Sequence, residues 1–133
     1  MGRKAKGINA ERELLHMFWG TGKWMALRAP ASGAIKYPCP DLLVGNLTRK
    51  LAIECKTTKA TKQYLRQKQI EELKEFANVF GAEPWVGVKF THLNWYFMNV
   101  EDLDKTEGNN YVISIESAKR KGLLFEELAV GFE

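Results

Sequence analysis

Cysteine is scarce in this sequence: Cys39 and Cys55 are the only two among 133 residues. Two thiols make no disulfide framework, and no Cys/His grouping has zinc-ligand spacing. His16 and His92 each stand without a metal-ligand partner, and surface or core roles are expected for both. A reduced, cytoplasmic compartment is the expectation. No run of about eighteen apolar residues occurs, which excludes a transmembrane helix. Residues Met1 to Gly7 are basic, but Asn9, Glu11, Arg12 and Glu13 interrupt any apolar stretch behind them, so no secretory signal is expected. Lys6 stands where an N-myristoylation motif needs Ser or Thr. Neither charge sign dominates: 20 Lys and Arg face 16 Asp and Glu, a net charge of +4 and a pI near 9.1. That small excess suits nucleic acid as a partner without requiring it.

What is present is a core. Apolar residues make up 45 % of the chain, enough for one domain over residues 1–133. No internal repeat, low-complexity tract or linker divides it. Asn9 is a plausible N-cap for a helix reaching about Trp19, with Gly20 or Gly22 ending it. Leu14, Leu15 and Phe18 form its apolar stripe, and Glu11 falls on the same face. A carboxylate there is costly unless compensated, and a metal is one candidate.

Lys23 to Arg28 reads as a strand. Ala29 to Pro40, with three prolines, Ser32 and Gly33, reads as a loop. Asp41 to Val44 and Lys50 to Thr57 read as a hairpin about the turn Gly45 to Arg49. In its second strand Leu51, Ile53 and Cys55 share one face, and Ala52, Glu54 and Lys56 share the other. A long amphipathic helix is expected over about Lys62 to Phe80, with Gly81 as its C-cap. Trp85 to Phe90 and Trp95 to Val100 read as two more strands. Glu101 to Asn110 reads as a polar loop, Tyr111 to Ile115 as a sixth strand, and Leu123 to Val130 as a closing helix. The order predicts an α/β domain with a mixed sheet flanked by helices.

Pro40-Asp41, then Glu54-Cys55-Lys56 thirteen residues after Asp41, carries the chemistry. Neighbouring strands aim Asp41, Glu54 and Lys56 at one point, and Glu11 can join them from the helix. Crowded carboxylates raise one another's pKa. One or two Mg²⁺ ions would relieve that and activate water for in-line attack on phosphorus. A lysine beside them stabilises the growing negative charge or positions the nucleophile. An E-x-K alone is ordinarily a solvated cross-strand pair. Pro-Asp upstream, the hairpin between, and Glu11 on a core face turn the reading toward a site.

These residues resemble the PD-(D/E)-x-K nuclease superfamily, whose core is restriction-endonuclease-like. The ordered set Gly7-Ile8-Asn9-Ala10-Glu11-Arg12-Glu13-Leu14, Arg28, Ser32-Gly33, Pro40-Asp41-Leu42-Leu43, Ile53-Glu54-Cys55-Lys56 and Lys89-Phe90 resembles the archaeal Holliday junction resolvases, to about Val100. The resemblance implies a homodimer that cuts four-way DNA junctions symmetrically in recombination and repair, with Mg²⁺ or Mn²⁺. By position it makes Glu11, Asp41 and Glu54 metal ligands and Lys56 the transition-state stabiliser. Ser32 stands where some members use a loop serine, although a serine there is otherwise a turn former.

Arg12, Arg28 and Lys89 become candidates for binding DNA, with Lys4, Lys6, Arg49, Lys50, Lys59 and Lys62 extending a basic face. Lys119-Arg120-Lys121 reads as a solvated run. Leu73, Phe76 and Phe80 become candidates for the dimer interface, since paired cuts need two sites. The departures from the family pattern are a longer, proline-rich loop before Asp41 and the C-terminal part. The rival readings are another nuclease of the superfamily, acting on linear or damaged duplex, and a non-catalytic junction-binding module.

Overall fold

The computed structural model describes residues 3–29 and 36–131. Helix α1 spans Arg3–Gly20, beginning well before Asn9. Lys4, Ala5 and Lys6 are good helix formers, and the helix runs through Gly7 despite a cost of about 1 kcal/mol for an interior glycine. Next come β1 (Met25–Arg28), β2 (Leu42–Gly45), β3 (Lys50–Thr58), β4 (Lys62–Leu65), α2 (Gln67–Phe80), β5 (Glu83–Phe90), β6 (Trp95–Asn99), β7 (Asp104–Lys105), β8 (Tyr111–Ser114), α3 (Ile115–Lys121), β9 (Leu123–Leu124) and α4 (Phe125–Ala129).

Among the described residues a six-stranded sheet has the order β1-β2-β3-β5-β6-β9, and β4-β8-β7 form a small second sheet. The large sheet is mixed, as expected. β3 pairs antiparallel with β2 and parallel with β5, so it lies near the centre with both edges hydrogen-bonded.

Two boundaries differ from expectation for a shared reason. Lys62 to Leu65 is strand β4, not the first turn of the long helix. It pairs with β8, with Leu65 opposite Tyr111, and a partner so distant in sequence overrides a local helical pattern. Helix α2 then starts at Gln67, where the Gln69 side chain accepts a hydrogen bond from the Arg66 amide at 3.2 Å. It ends as expected at Gly81, with φ 87°. Likewise Leu123 and Leu124 extend the large sheet by pairing with β6, and only Phe125 to Ala129 is helical. The segment read as a polar loop, Glu101 to Asn110, contains β7 and the end of a single 3-10 turn, Val100–Asp102.

The strands alternate as read. Leu42, Val44, Leu51, Ile53 and Phe97 pack with Leu14 and Phe18 of α1 and Leu128 of α4. Ala52, Val86, Val88, Phe90 and Met98 pack on the opposite face with Ile70, Leu73 and Ala77 of α2, Ile113 of β8 and Ala118 of α3. Burying side chains the size of Leu14 and Phe18 contributes about 1.5–3 kcal/mol each. The sheet is thus a middle layer between helices, and its strand ends are where polar side chains gather.

Candidate active site

The turn between β2 and β3 sets the register on which the site depends. Asn46 Oδ1 accepts from the Thr48 and Arg49 amides at 2.9 and 2.7 Å, an Asx turn. Leu42 consequently faces Ile53, and Asp41 comes to stand beside Glu54. Asp41 Oδ2 accepts a hydrogen bond from the Cys55 amide at 2.8 Å, while its carbonyl accepts from the Ala29 amide at 3.0 Å. Asp41 is therefore fixed from both strands that flank it. Glu54 and Lys56 lie on the Ala52 side of β3, toward α2.

Asp41 and Glu54 stand close enough for each to perturb the other's ionisation. Burial, then the Asp41 charge, pushes Glu54 up to about 8, against the pull of Lys56. Burial also raises Asp41, opposed first by the Cys55 amide and then by Lys56. Two half-buried carboxylates this close cannot both ionise cheaply. The proton sits on Glu54, because the Cys55 amide favours charge on Asp41. Burial pushes the Cys55 thiol well up, and raises Cys39, where Asp41 and Glu54 add their charge. Neither sulfur is an activated nucleophile.

Glu11 comes from the helix on the opposite face. Burial raises it, and so does the charge of Asp41. Its compensation is a cation: Arg28 Nε lies 3.5 Å from Glu11 Oε1. At that length Arg28 Nε is buried without a hydrogen-bond partner among the described residues. Among them, too, no group of three or more His, Cys, Asp or Glu side chains is arranged to hold an ion. The three carboxylates feel one another electrostatically, yet only Asp41 and Glu54 form a close pair. A pair of oxygen donors with crowded charge fits a hard cation such as Mg²⁺, which keeps several waters and takes one or two carboxylates.

The basic candidates separate. Arg12 is exposed. Lys89 is half-buried on the α1 side, where its Nζ donates to the Leu93 carbonyl at 3.1 Å and lies 3.9 Å from Glu13 Oε1. Glu13 also accepts from Trp95 Nε1 at 3.0 Å. Arg49 does not belong to a basic face. It makes two 2.9 Å hydrogen bonds to Glu83 and one of 2.8 Å to the Leu128 carbonyl, and this clamp holds Glu83 below the usual carboxylate range. Lys50 folds back on the Asn46 carbonyl at 2.9 Å.

Lys59 and Lys62 are exposed. In the basic run, Lys121 is held by Asp104 at 2.9 Å and Arg120 by Glu116 at 3.6 Å. His16 and His92 are both on the surface. Ser32 and the side chains of Lys4 and Lys6 lie outside the described residues.

The expected interface residues separate as well. Leu73 is only 4 % exposed and belongs to the core, because helical spacing points it at the sheet. Phe76 is half-buried and stacks on Phe80 with ring centroids 5.4 Å apart. Phe80 and Val79 are exposed.

A mixed sheet between helices, with a carboxylate pair and a lysine on its hairpin, defines the restriction-endonuclease-like class. The sequence matches, over residues 2–133, the family described as archaeal Holliday junction resolvase (Hjc). It is 38 % identical over 130 residues to the crossover junction endodeoxyribonuclease Hjc of Archaeoglobus fulgidus, covering 93 % of this chain and 95 % of that one. It is 35 % identical over 130 residues to the enzyme of that name from Sulfolobus acidocaldarius, covering 96 % and 89 %. The solved structure of A. fulgidus Hjc, a Holliday junction resolvase, superposes with a TM-score of 0.85 at 37 % identity, covering 92 % of this chain and 99 % of that one. The chain belongs to the archaeal Holliday junction resolvase family, and it is a nuclease.

Proposed function

We propose that this chain resolves four-way DNA junctions as a divalent-cation-dependent crossover junction endodeoxyribonuclease, cutting paired strands symmetrically. The observation that carries the reading is Asp41, fixed by the Cys55 amide beside Glu54 and Lys56, in a chain that matches resolvases along nearly its whole length. Asp41 and Glu54 would hold Mg²⁺, or Mn²⁺ in its place, with Glu11 acting from the rim through water. The ion supplies Lewis acidity toward the phosphate and a more acidic water. Lys56 faces the charge that grows on the phosphate. Arg28 orients Glu11, and Arg12 and Arg28 bear on neighbouring phosphates, positioning DNA without reading its bases.

Two copies would be joined through the exposed Phe80 and Val79 patch with Phe76 beneath it, giving the two sites that paired cuts need. No described helix is long and apolar enough to cross a membrane, and the substrate places the protein with DNA in the cytoplasm. In the test, a fixed four-way junction and its linear arms are incubated with protein in Mg²⁺ or EDTA. Paired nicks in the junction alone, lost in EDTA and in Asp41→Asn with binding retained, are expected. Equal cutting of linear arms, or Mg²⁺-dependent cutting by Asp41→Asn, would refute the reading.

A further inference from the structure

The strand that replaces the start of the expected helix has a chemical consequence. β4 has period two, and Arg66 continues it with extended backbone, φ −76° and ψ 144°. Lys62, Tyr64 and Arg66 therefore share one face, and all three are exposed. As a helix Lys62 and Arg66 would have shared a face, but Tyr64 would have pointed to the other side. As a strand they make a row of cation, aromatic ring and cation.

The row borders a groove of about 630 Å³ whose lining includes Lys56, Tyr64, Leu65, Arg66 and Gln69. Lys56 belongs to the site already described, so the groove opens onto it. Lys56 and Arg66 bring positive charge, and no carboxylate lines it. The groove along α2 is the opposite case, lined by Glu71, Glu75 and Glu101 with Lys74. Tyr64 is 59 % exposed. Among the described residues Lys62 and Arg66 make no ion pair, whereas Lys68, Lys74, Lys89, Arg120 and Lys121 do.

We infer that this row is a DNA-holding track which selects branched over linear substrate. Lys62 and Arg66 grip phosphates of the strand entering the Lys56 site, and Tyr64 stacks on a base left unstacked at the branch point. Cations flanking an aromatic ring are what single-stranded or unstacked nucleic acid requires, since every base offers a π face. A linear duplex keeps its bases stacked and gives Tyr64 nothing to cover. Structure selectivity then arises without any base-edge readout.

The inference rests on the proposed resolvase activity, and the experiment separates the two. Binding of a fixed four-way junction and of its linear arm is measured over a salt series, with melting curves to confirm folding. Tyr64→Ala is expected to weaken junction binding about tenfold while linear-duplex binding stays as it was. Tyr64→Phe restores the ring and the affinity that Tyr64→Ala loses. Lys62→Gln with Arg66→Gln is expected to weaken both substrates and to lower the slope of log affinity against log salt by about 2. Lys119→Gln with Lys105→Gln, a loss of two charges at residues that do not line the groove, is expected to bind as wild type.

Unchanged junction affinity in Tyr64→Ala, or equal loss on both substrates, would overturn the selective role. An unchanged salt slope in the double variant would overturn the track. Wild-type protein that neither binds nor cuts the junction would overturn the underlying activity as well.

Discussion

Replacing Glu54 by Gln is expected to strengthen the metal-free fold while ending catalysis. Glu54 has an ordinary value of 4.5 and is pushed up to about 8 in the fold. The folded state thus binds the proton more tightly than the unfolded chain does. The stability contributed by this group is full below pH 4.5 and drains away as pH rises toward 8. Each unit costs about 1.4 kcal/mol, so by pH 7 the native Glu54 has given up about 3 kcal/mol relative to a side chain that cannot ionise. Glutamine keeps the N–H needed to donate to Asp41 and carries no charge at any pH.

The assay is urea unfolding in EDTA at pH 5, 7 and 8.5, wild type against Glu54→Gln. Similar midpoints at pH 5 and a gap that widens in favour of the variant at higher pH are expected. Saturating Mg²⁺ should close that gap, because only the wild type gains a full carboxylate pair for the ion. A gap that is constant with pH, or that favours wild type at pH 8.5 in EDTA, would refute the raised ionisation of Glu54.

Other outcomes follow from the packing. Leu73→Ala should cost about 2–5 kcal/mol in thermal or urea unfolding. Phe80→Ser should cost the protomer less than about 1 kcal/mol yet sediment as a monomer and lose paired cutting. Gly87→Ala should cost about 1–3 kcal/mol, since its Cβ would meet Phe97 Cε1 at 3.0 Å in the centre of the sheet; a melting temperature within error of wild type would contradict that contact.

The part of the site built from adjacent strands was readable in the sequence. Pro40-Asp41, the Asn46 turn and the E-x-K alternation fix one another through local geometry, and the structure keeps that geometry. The layered α/β architecture was readable for the same reason, since periodicity reports which face is buried. What escaped depends on distant partners. Glu11 was readable as an acid in need of compensation, but nothing in its own helix announces Arg28, which stands beside it. Arg49 looked like a DNA contact because its partner Glu83 lies beyond the crossover. Lys62 to Leu65 looked helical because β8, which makes it a strand, comes nearly fifty residues later in the chain. The alternation Lys62-x-Tyr64-x-Arg66 was visible, but it has meaning only once the segment is extended.

The hydrogen bond from the Cys55 amide to Asp41 Oδ2 bears on which cation such a site would accept. With one oxygen engaged by the backbone, Asp41 is poorly placed to chelate an ion through both. Calcium favours six to eight oxygens, often with two-oxygen carboxylates, whereas magnesium is content with single oxygens and water. If the site holds a cation, a short backbone contact would thereby act as an ion filter, disfavouring the larger cation through its coordination number rather than its charge. Calorimetric titration that showed Ca²⁺ binding as tightly as Mg²⁺ would contradict such a filter.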